Sequence, residues 1–387
     1  MNEIERISDI ERSYVNEVLN NQFRTSAGSK MNTRLEKAFS DLYNSKYAIT
    51  FVNGTATMHT ILLAVGIGKG DEVIVPPLTM ASTTFAVIQA GAKVIYADVD
   101  PETYQIDPTS IRKKITKKTK AIITVALYGL CPEMDELMEV AHENNLFVLE
   151  DNAETMMSMY KDKLVGTFGH AASFSFQSSK HLTAGEGGIV ITDDENLALA
   201  VRRISSLGYS GLSSGKGKIT KNDIQSPDYY RHVSPGFNYR MPELCAAVVL
   251  GQIERQEELV ERRIAVANLF SDIIKDVDWL NPQFTPNYCR NTYWTYVVKL
   301  NSDDLDWIAF RDKFQEFGGD GIYAPWKLTY QEPFFENLSI SNRESNPYCP
   351  NAEALQTTLL QFKTNYWKWH DAELQADILD KTINYYS

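Results

Sequence analysis

Seven short apolar or β-branched runs before residue 195, near Tyr47, Glu72, Lys93, Ala121, Leu146, Ala171 and Gly188, constrain this chain more than any other feature. Helical patterns such as Met134 to Asn144 separate several of them. Alternation of this kind predicts a mainly parallel, seven-stranded sheet covered by helices, an α/β architecture. A long charged helical pattern from Pro242 through Phe270 then leads into a remainder that reads as a smaller α/β unit. The expected organisation is a large domain over residues 1–250, opened by a helical segment, and a small C-terminal domain over 251–387. A chain of 387 residues that is 43% hydrophobic can bury one large core and a second, smaller one.

Within this frame Lys180 stands out. It sits in Ser173 to Gly188, SFSFQSSKHLTAGEGG, on a glycine-ended crossover between the strand-like Ala171 to Phe176 and Gly188 to Thr192. A lysine held away from bulk water loses its proton more easily than a solvated one and can attack an aldehyde to form a Schiff base. The aldehyde to expect is pyridoxal 5'-phosphate. Its pyridine nitrogen must stay protonated, which a neighbouring carboxylate achieves. Asp151 ends the run LFVLE at the carboxyl end of a buried strand, where open α/β sheets place their ligands. The separation of 29 positions between Asp151 and Lys180 leaves room for one crossover and one strand. Taken without Lys180, Asp151 reads better as the cap of the next turn.

A phosphate needs backbone N–H groups at a helix start, with hydroxyls nearby. Asn53-Gly54-Thr55-Ala56-Thr57 follows the strand-like Tyr47 to Val52 and opens an apolar-periodic segment, Met58 to Val65. Glycine permits close approach, and Thr55 can donate a hydroxyl. Ser175 shares a strand face with Ser173 and is a second candidate donor, or simply a small residue in a tight sheet.

In this order these parts resemble the DegT/StrS-type sugar aminotransferases, fold type I pyridoxal phosphate enzymes. The resemblance rests on Asn53 to Pro77, Gly91 to Asp107, Leu149 to Glu154, the Lys180 segment with its GEGG, and Gly236 to Arg255. It implies that Lys180 is the Schiff-base lysine, Asp151 the partner of the pyridine nitrogen, and Gly54, Thr55, Ala56 and Ser175 part of the phosphate site. It further implies that Asn238 reaches the phosphate of a neighbouring subunit, giving a homodimer with shared active sites. Three positions depart from the family pattern. Met80 stands where many relatives carry a ring that stacks on the cofactor, and a thioether can pack there instead. Ala126 replaces a common histidine, and Glu154 occupies a cofactor-side position where glutamine is frequent. Relatives that carry histidine at the lysine position act as sugar dehydratases; this chain has Lys180, with His181 after it.

The expected reaction moves an amino group from glutamate to a nucleotide-linked keto-deoxysugar, giving an amino sugar for a polysaccharide, glycan or antibiotic. A cyclitol aminotransferase, a dehydratase and a non-catalytic regulatory protein are the alternatives. Arg240 suits the donor's carboxylate or an ordinary ion pair. Lys216, Lys218, Lys221 and Arg231 form a basic island in the glycine- and serine-rich stretch Leu207 to Pro235, either a lid for a sugar diphosphate or a solvated loop. Tyr323, Trp326 and Tyr330 are placed either to stack on a sugar or base, or to pack between domains.

Composition narrows the partners. A net charge of -12 argues against nucleic acid, and no apolar stretch is long enough to span a bilayer. The charged, amphipathic N-terminus lacks a signal-peptide hydrophobic region, which points to the cytoplasm. Cys131, Cys245, Cys289 and Cys349 have neither metal-ligand nor disulfide-framework spacing, and no metal is expected.

Overall fold

The apolar runs build one twisted sheet. In a computed structural model, which describes residues 3–23, 28–215, 225 and 227–387, the strands are β1 (Tyr47–Phe51), β2 (Glu72–Val75), β3 (Lys93–Tyr96), β4 (Thr119–Val125), β5 (Phe147–Asp151), β6 (Ala171–Ser175) and β7 (Gly188–Thr192). Their spatial order is β1-β7-β6-β5-β4-β2-β3. β7 runs antiparallel to both neighbours, while the pairs β6/β5, β5/β4, β4/β2 and β2/β3 are parallel. β1 and β6 therefore share a direction, so six of the seven strands end at the same edge.

Side chains alternate across this sheet, as a period of two requires. Val73 and Val75 face one side, with Met58, Ile61 and Leu62 of α3 (Gly54–Ala64), Val87 of α4 (Ala81–Gln89) and Val201 of α7 (Glu195–Ser205). Ile74 faces the other, against Ile111 of α5 (Pro108–Lys114) and Leu137 of α6 (Met134–Glu143). The β1-β7-β6 half of that second side is covered by α2 (Met31–Tyr43) and α8 (Glu243–Glu254), with Leu35, Phe39, Ala246 and Leu250 packed on Ala172, Phe174 and Ile191. Burial on both faces explains why most of these strands read as continuous apolar runs.

The expected single helix from Pro242 to Phe270 is two: α8 stops at Arg255 (φ -116°, ψ 12°) and α9 spans Gln256–Ile274. The break is tied down by ion pairs from Arg255 to Glu11 and Glu258. Glu11 belongs to α1 (Asp9–Asn20), whose capping box with Ser8 fixes where the N-terminal segment turns across α8. Beyond α9 a second core forms around Phe270, Tyr296, Val298, Phe310, Phe314 and Phe362. It contains the antiparallel strands Leu280–Pro282, Thr295–Leu300 and Leu359–Lys363, in that spatial order. Between the last two, Leu328, Tyr330, Phe335 and Leu355 return to the first core. Among the described residues no helix is long and apolar enough to cross a membrane.

Candidate active site

Because six strands end at one edge, the turns after β1, β2, β4, β5 and β6 converge there. They carry Asn53-Gly54, Met80, Ala126, Asp151 and the Ser175 to Lys180 crossover. The carboxyl edge of a parallel sheet is where such folds bind ligands.

At the β1 turn Asn53 is extended and its Oδ1 accepts the Ala56 N–H at 2.8 Å, which starts α3 on Gly54. The N–H groups of Gly54 and Thr55 have no acceptor among the described residues, as expected for the first turn of a helix. A Cβ on Gly54 would come within 3.1 Å of Ser175 Cβ, so the helix start and the Ser175 hydroxyl share one corner. A Cβ on Gly188 would lie 2.6 Å from the Asn53 carbonyl carbon and 2.9 Å from the Gly54 nitrogen; only glycine lets β7 approach this turn. Thr57 Oγ1 and Ser173 Oγ hydrogen-bond beneath it, closing the floor. Two free amides and a half-buried hydroxyl make a cradle for an anion.

Asp151 is 3% exposed. Its Oδ2 accepts from Thr83 Oγ1 at 2.9 Å and its Oδ1 from the Ala153 N–H at 3.2 Å. The Ala153 bond is the local turn cap, so the capping reading and the site reading coexist. Burial pushes the Asp151 carboxyl above its ordinary range; the bonds to Thr83 and Ala153 and the charge of Lys180 work the other way. No cation forms an ion pair with it among the described residues. A buried carboxylate in that condition is costly unless a positive partner arrives.

Lys180 Nζ lies 3.3 Å from Glu154 Oε1 and 4.2 Å from the centroid of the Trp294 ring, with 14% of the side chain exposed. Glu154 is buried, and its Oε2 accepts the Tyr128 N–H at 3.1 Å. Burial raises the Glu154 carboxyl, and the charge of Lys180 draws it back down. The N–H donor is aimed by Tyr128, which sits in the left-handed region at φ 65°. His181, next in the chain, is buried with Nε2 2.9 Å from the Thr292 carbonyl oxygen, and burial holds it well below its ordinary range, as the neutral imidazole.

Residues 5–366 match the DegT/DnrJ/EryC1/StrS aminotransferase family. The chain belongs to that family. It is 38% identical over 288 residues to GDP-perosamine synthase of Escherichia coli O157:H7, covering 74% of each chain. It is 37% identical over 298 residues to GDP-perosamine synthase of Caulobacter vibrioides, covering 76% of each. An aminotransferase from Psychrobacter cryohalolentis superposes on it with a TM-score of 0.88 and 28% identity, over 99% of both chains. The protein is thus a pyridoxal phosphate-dependent aminotransferase of fold type I, and its residues fit that cofactor. The cradle at Gly54, Thr55 and Ser175 suits the phosphate, and the unpaired Asp151 carboxylate suits a protonated ring nitrogen.

Other expected residues lie at the margin. Met80 caps the start of α4 after the β2 turn and is 53% exposed. Asn238 and Arg240 are exposed, in a segment that Val52 N–H ties to the end of β1 through the Tyr239 carbonyl at 2.8 Å. Lys216, Lys218 and Lys221 lie outside the described residues; Arg231 is exposed. The three aromatics separate: Tyr330 packs on Tyr96 in the core, Trp326 stacks on Trp294, and Tyr323 extends the small sheet beside Gln361 with its ring largely exposed. Sequence reasoning missed Thr83, Tyr128 and Trp294. Thr83, in the hydroxyl-rich STT that opens α4, carried the only local signal.

Proposed function

We propose that this aminotransferase transfers the amino group of glutamate to the keto group of a GDP-linked keto-deoxysugar, as a cytoplasmic homodimer with shared active sites. The observation that carries the reading is the convergence, at one sheet edge, of a shielded lysine, a buried carboxylate lacking a cation and an anion cradle. GDP as the nucleotide is supported by the GDP-perosamine synthases among its relatives.

Bound pyridoxal phosphate supplies the aldehyde that carries the amino group in transit and the ring that accepts electrons from the carbon losing its proton. The chain's residues do the rest. Lys180 Nζ would hold the cofactor's aldehyde and would serve as the acid and base that moves the proton at the donor's α-carbon. Glu154 keeps the freed amine within reach, and Trp294 screens it from water. Asp151, oriented by Thr83, keeps the ring nitrogen protonated. Gly54, Thr55 and Ser175 would take the phosphate, Ala56, whose N–H is held by Asn53, would line the cradle beside them, and Met80 would pack at the ring. Arg240, exposed and without an ion pair among the described residues, is free for the donor carboxylate. Lys216, Lys218 and Tyr323 are assigned to the sugar nucleotide.

The dimer is supported by exposed apolar side chains in the residues that lead up to Asn238. Tyr230, Val233 and Phe237 are 83%, 54% and 39% exposed, an unusual density for a surface without a partner. From such a surface Asn238 would reach the phosphate of the partner subunit.

Incubation with ¹⁵N-glutamate and a panel of GDP-, UDP- and dTDP-linked keto sugars, read by mass spectrometry, tests the reaction. The expected result is ¹⁵N in the GDP sugar with one 2-oxoglutarate per amino sugar. Loss of water from the sugar without nitrogen transfer would make the protein a dehydratase, and labelling of a keto-cyclitol alone would reassign the acceptor.

A further inference from the structure

Two arginines distant in sequence meet on the backbone of the lysine crossover. Arg263, on α9, donates through Nη2 to the carbonyl oxygens of Ser179 at 2.8 Å and Lys180 at 3.0 Å. Its Nη1 donates to the Trp294 carbonyl at 2.8 Å and to Thr364 Oγ1 at 3.1 Å. Arg6, on the N-terminal segment, donates through Nη2 to the carbonyls of Ser178 at 2.5 Å and Lys180 at 3.2 Å. The Arg6 segment is itself anchored by Gln252 Nε2, which donates to the Arg6 carbonyl at 2.6 Å. Trp294 Nε1 closes the circle by donating to the Ser179 carbonyl at 3.0 Å.

Neither guanidinium pairs with a carboxylate among the described residues. Arg263 is 1% exposed, and its pKa is pushed down to about 9 by burial and by the charge of Arg6. Three carbonyl oxygens, the Thr364 hydroxyl and the face of Trp367 surround it in place of a carboxylate, an expensive arrangement for a buried cation. The groups facing Lys180 are Glu154 and Asp151 beyond its amine, Tyr128 behind Glu154, the neutral His181 beside it, and the two guanidiniums at its carbonyl.

We propose that Arg263 and Arg6 are positioning residues. They lock the 178–180 peptide so that the Lys180 amine stays under Trp294, and their unpaired charge opposes positive charge on the lysine nitrogen once it carries the cofactor. The second half rests on the proposed role of Lys180; the first does not.

The test has two arms. In cofactor-free protein, amide exchange is followed in the peptide spanning 177–184 for Arg6→Met, Arg263→Met and Arg263→Lys. In loaded protein, the pH midpoint of the cofactor's visible absorbance is measured for the same set. The Met variants should exchange at least about tenfold faster at 177–184 with β2 unchanged, and their midpoints should move up. Arg263→Lys should exchange faster yet keep the wild-type midpoint, because it keeps the charge and loses the fork. Arg6, half-buried at the margin, carries the test if Arg263→Met does not fold. Wild-type exchange and midpoint in Arg6→Met, or acceleration spread evenly through the protein, overturns the proposal. Failure of the wild type to load at Lys180 would instead overturn the proposed role of that lysine and leave the exchange arm standing.

Discussion

Lys180 Nζ and Glu154 Oε1 stand 3.3 Å apart in a site where both side chains are largely withdrawn from water. Breaking a buried pair from one side costs about 3–5 kcal/mol, because the remaining charge is stranded. Glu154→Ala also strips the Tyr128 N–H of its acceptor. Urea unfolding of the cofactor-free protein should show a loss of that size for Glu154→Ala and a smaller one for Glu154→Gln, which strands the same charge but keeps an acceptor for the Tyr128 N–H. Equal stability of both variants and the wild type would mean that the pair contributes nothing.

Asp151 provides a pH signature. Its folded pKa is raised, chiefly by burial, so as pH rises the unfolded chain releases this proton first and the folded chain later. The cofactor-free protein therefore loses stability from the ordinary carboxylate range up through the raised folded value, and Asp151→Asn should lack that loss. Added pyridoxal phosphate should raise the wild-type Tm more than the variant's, and the half-reaction with glutamate should slow by orders of magnitude in the variant. Normal turnover would leave Asp151 as only a turn cap.

Gly188→Ala should damage the cradle from behind, since its Cβ would meet the backbone of Asn53 and Gly54. Weaker pyridoxal phosphate binding and a lower Tm are expected by equilibrium titration and calorimetry. Gly215→Ala, with nothing within 4 Å of the added carbon, is the control and should behave as wild type. Unchanged cofactor affinity in Gly188→Ala would argue against the phosphate lying at the start of α3.

What the sequence made legible is what backbone pattern determines. The seven strands were readable because each is a buried run, and Asp151 and Gly54 because they stand where such runs end. Lys180 was readable because its crossover is bounded by two strands. Contacts between remote segments left no local trace: Thr83 meets Asp151 across 68 residues, Arg263 meets Lys180 across 83, and Arg6 meets it across 174. Cys131 and Cys289, far apart in sequence, likewise bring their sulfurs to 3.9 Å as free thiols. The break at Arg255 was hidden because helix-forming residues continue on both sides; its ion pair to Glu11 depends on where α1 lies.

The proposed shared-site dimer predicts complementation. Lys180→Ala and Asn238→Asp subunits should each be inactive, the second because a carboxylate repels phosphate. In a mixed dimer one site receives both lesions and the other neither, so part of the activity should return. Verified heterodimers that stay inactive would contradict a site completed across the interface.

The proposed transamination requires Lys180 to carry the cofactor. Borohydride reduction of the loaded protein followed by peptide mapping tests it most directly. A single reduced pyridoxyl group is expected on Lys180, in the peptide that contains Ser179 and His181. A label on any other lysine, or none after loading, would contradict it.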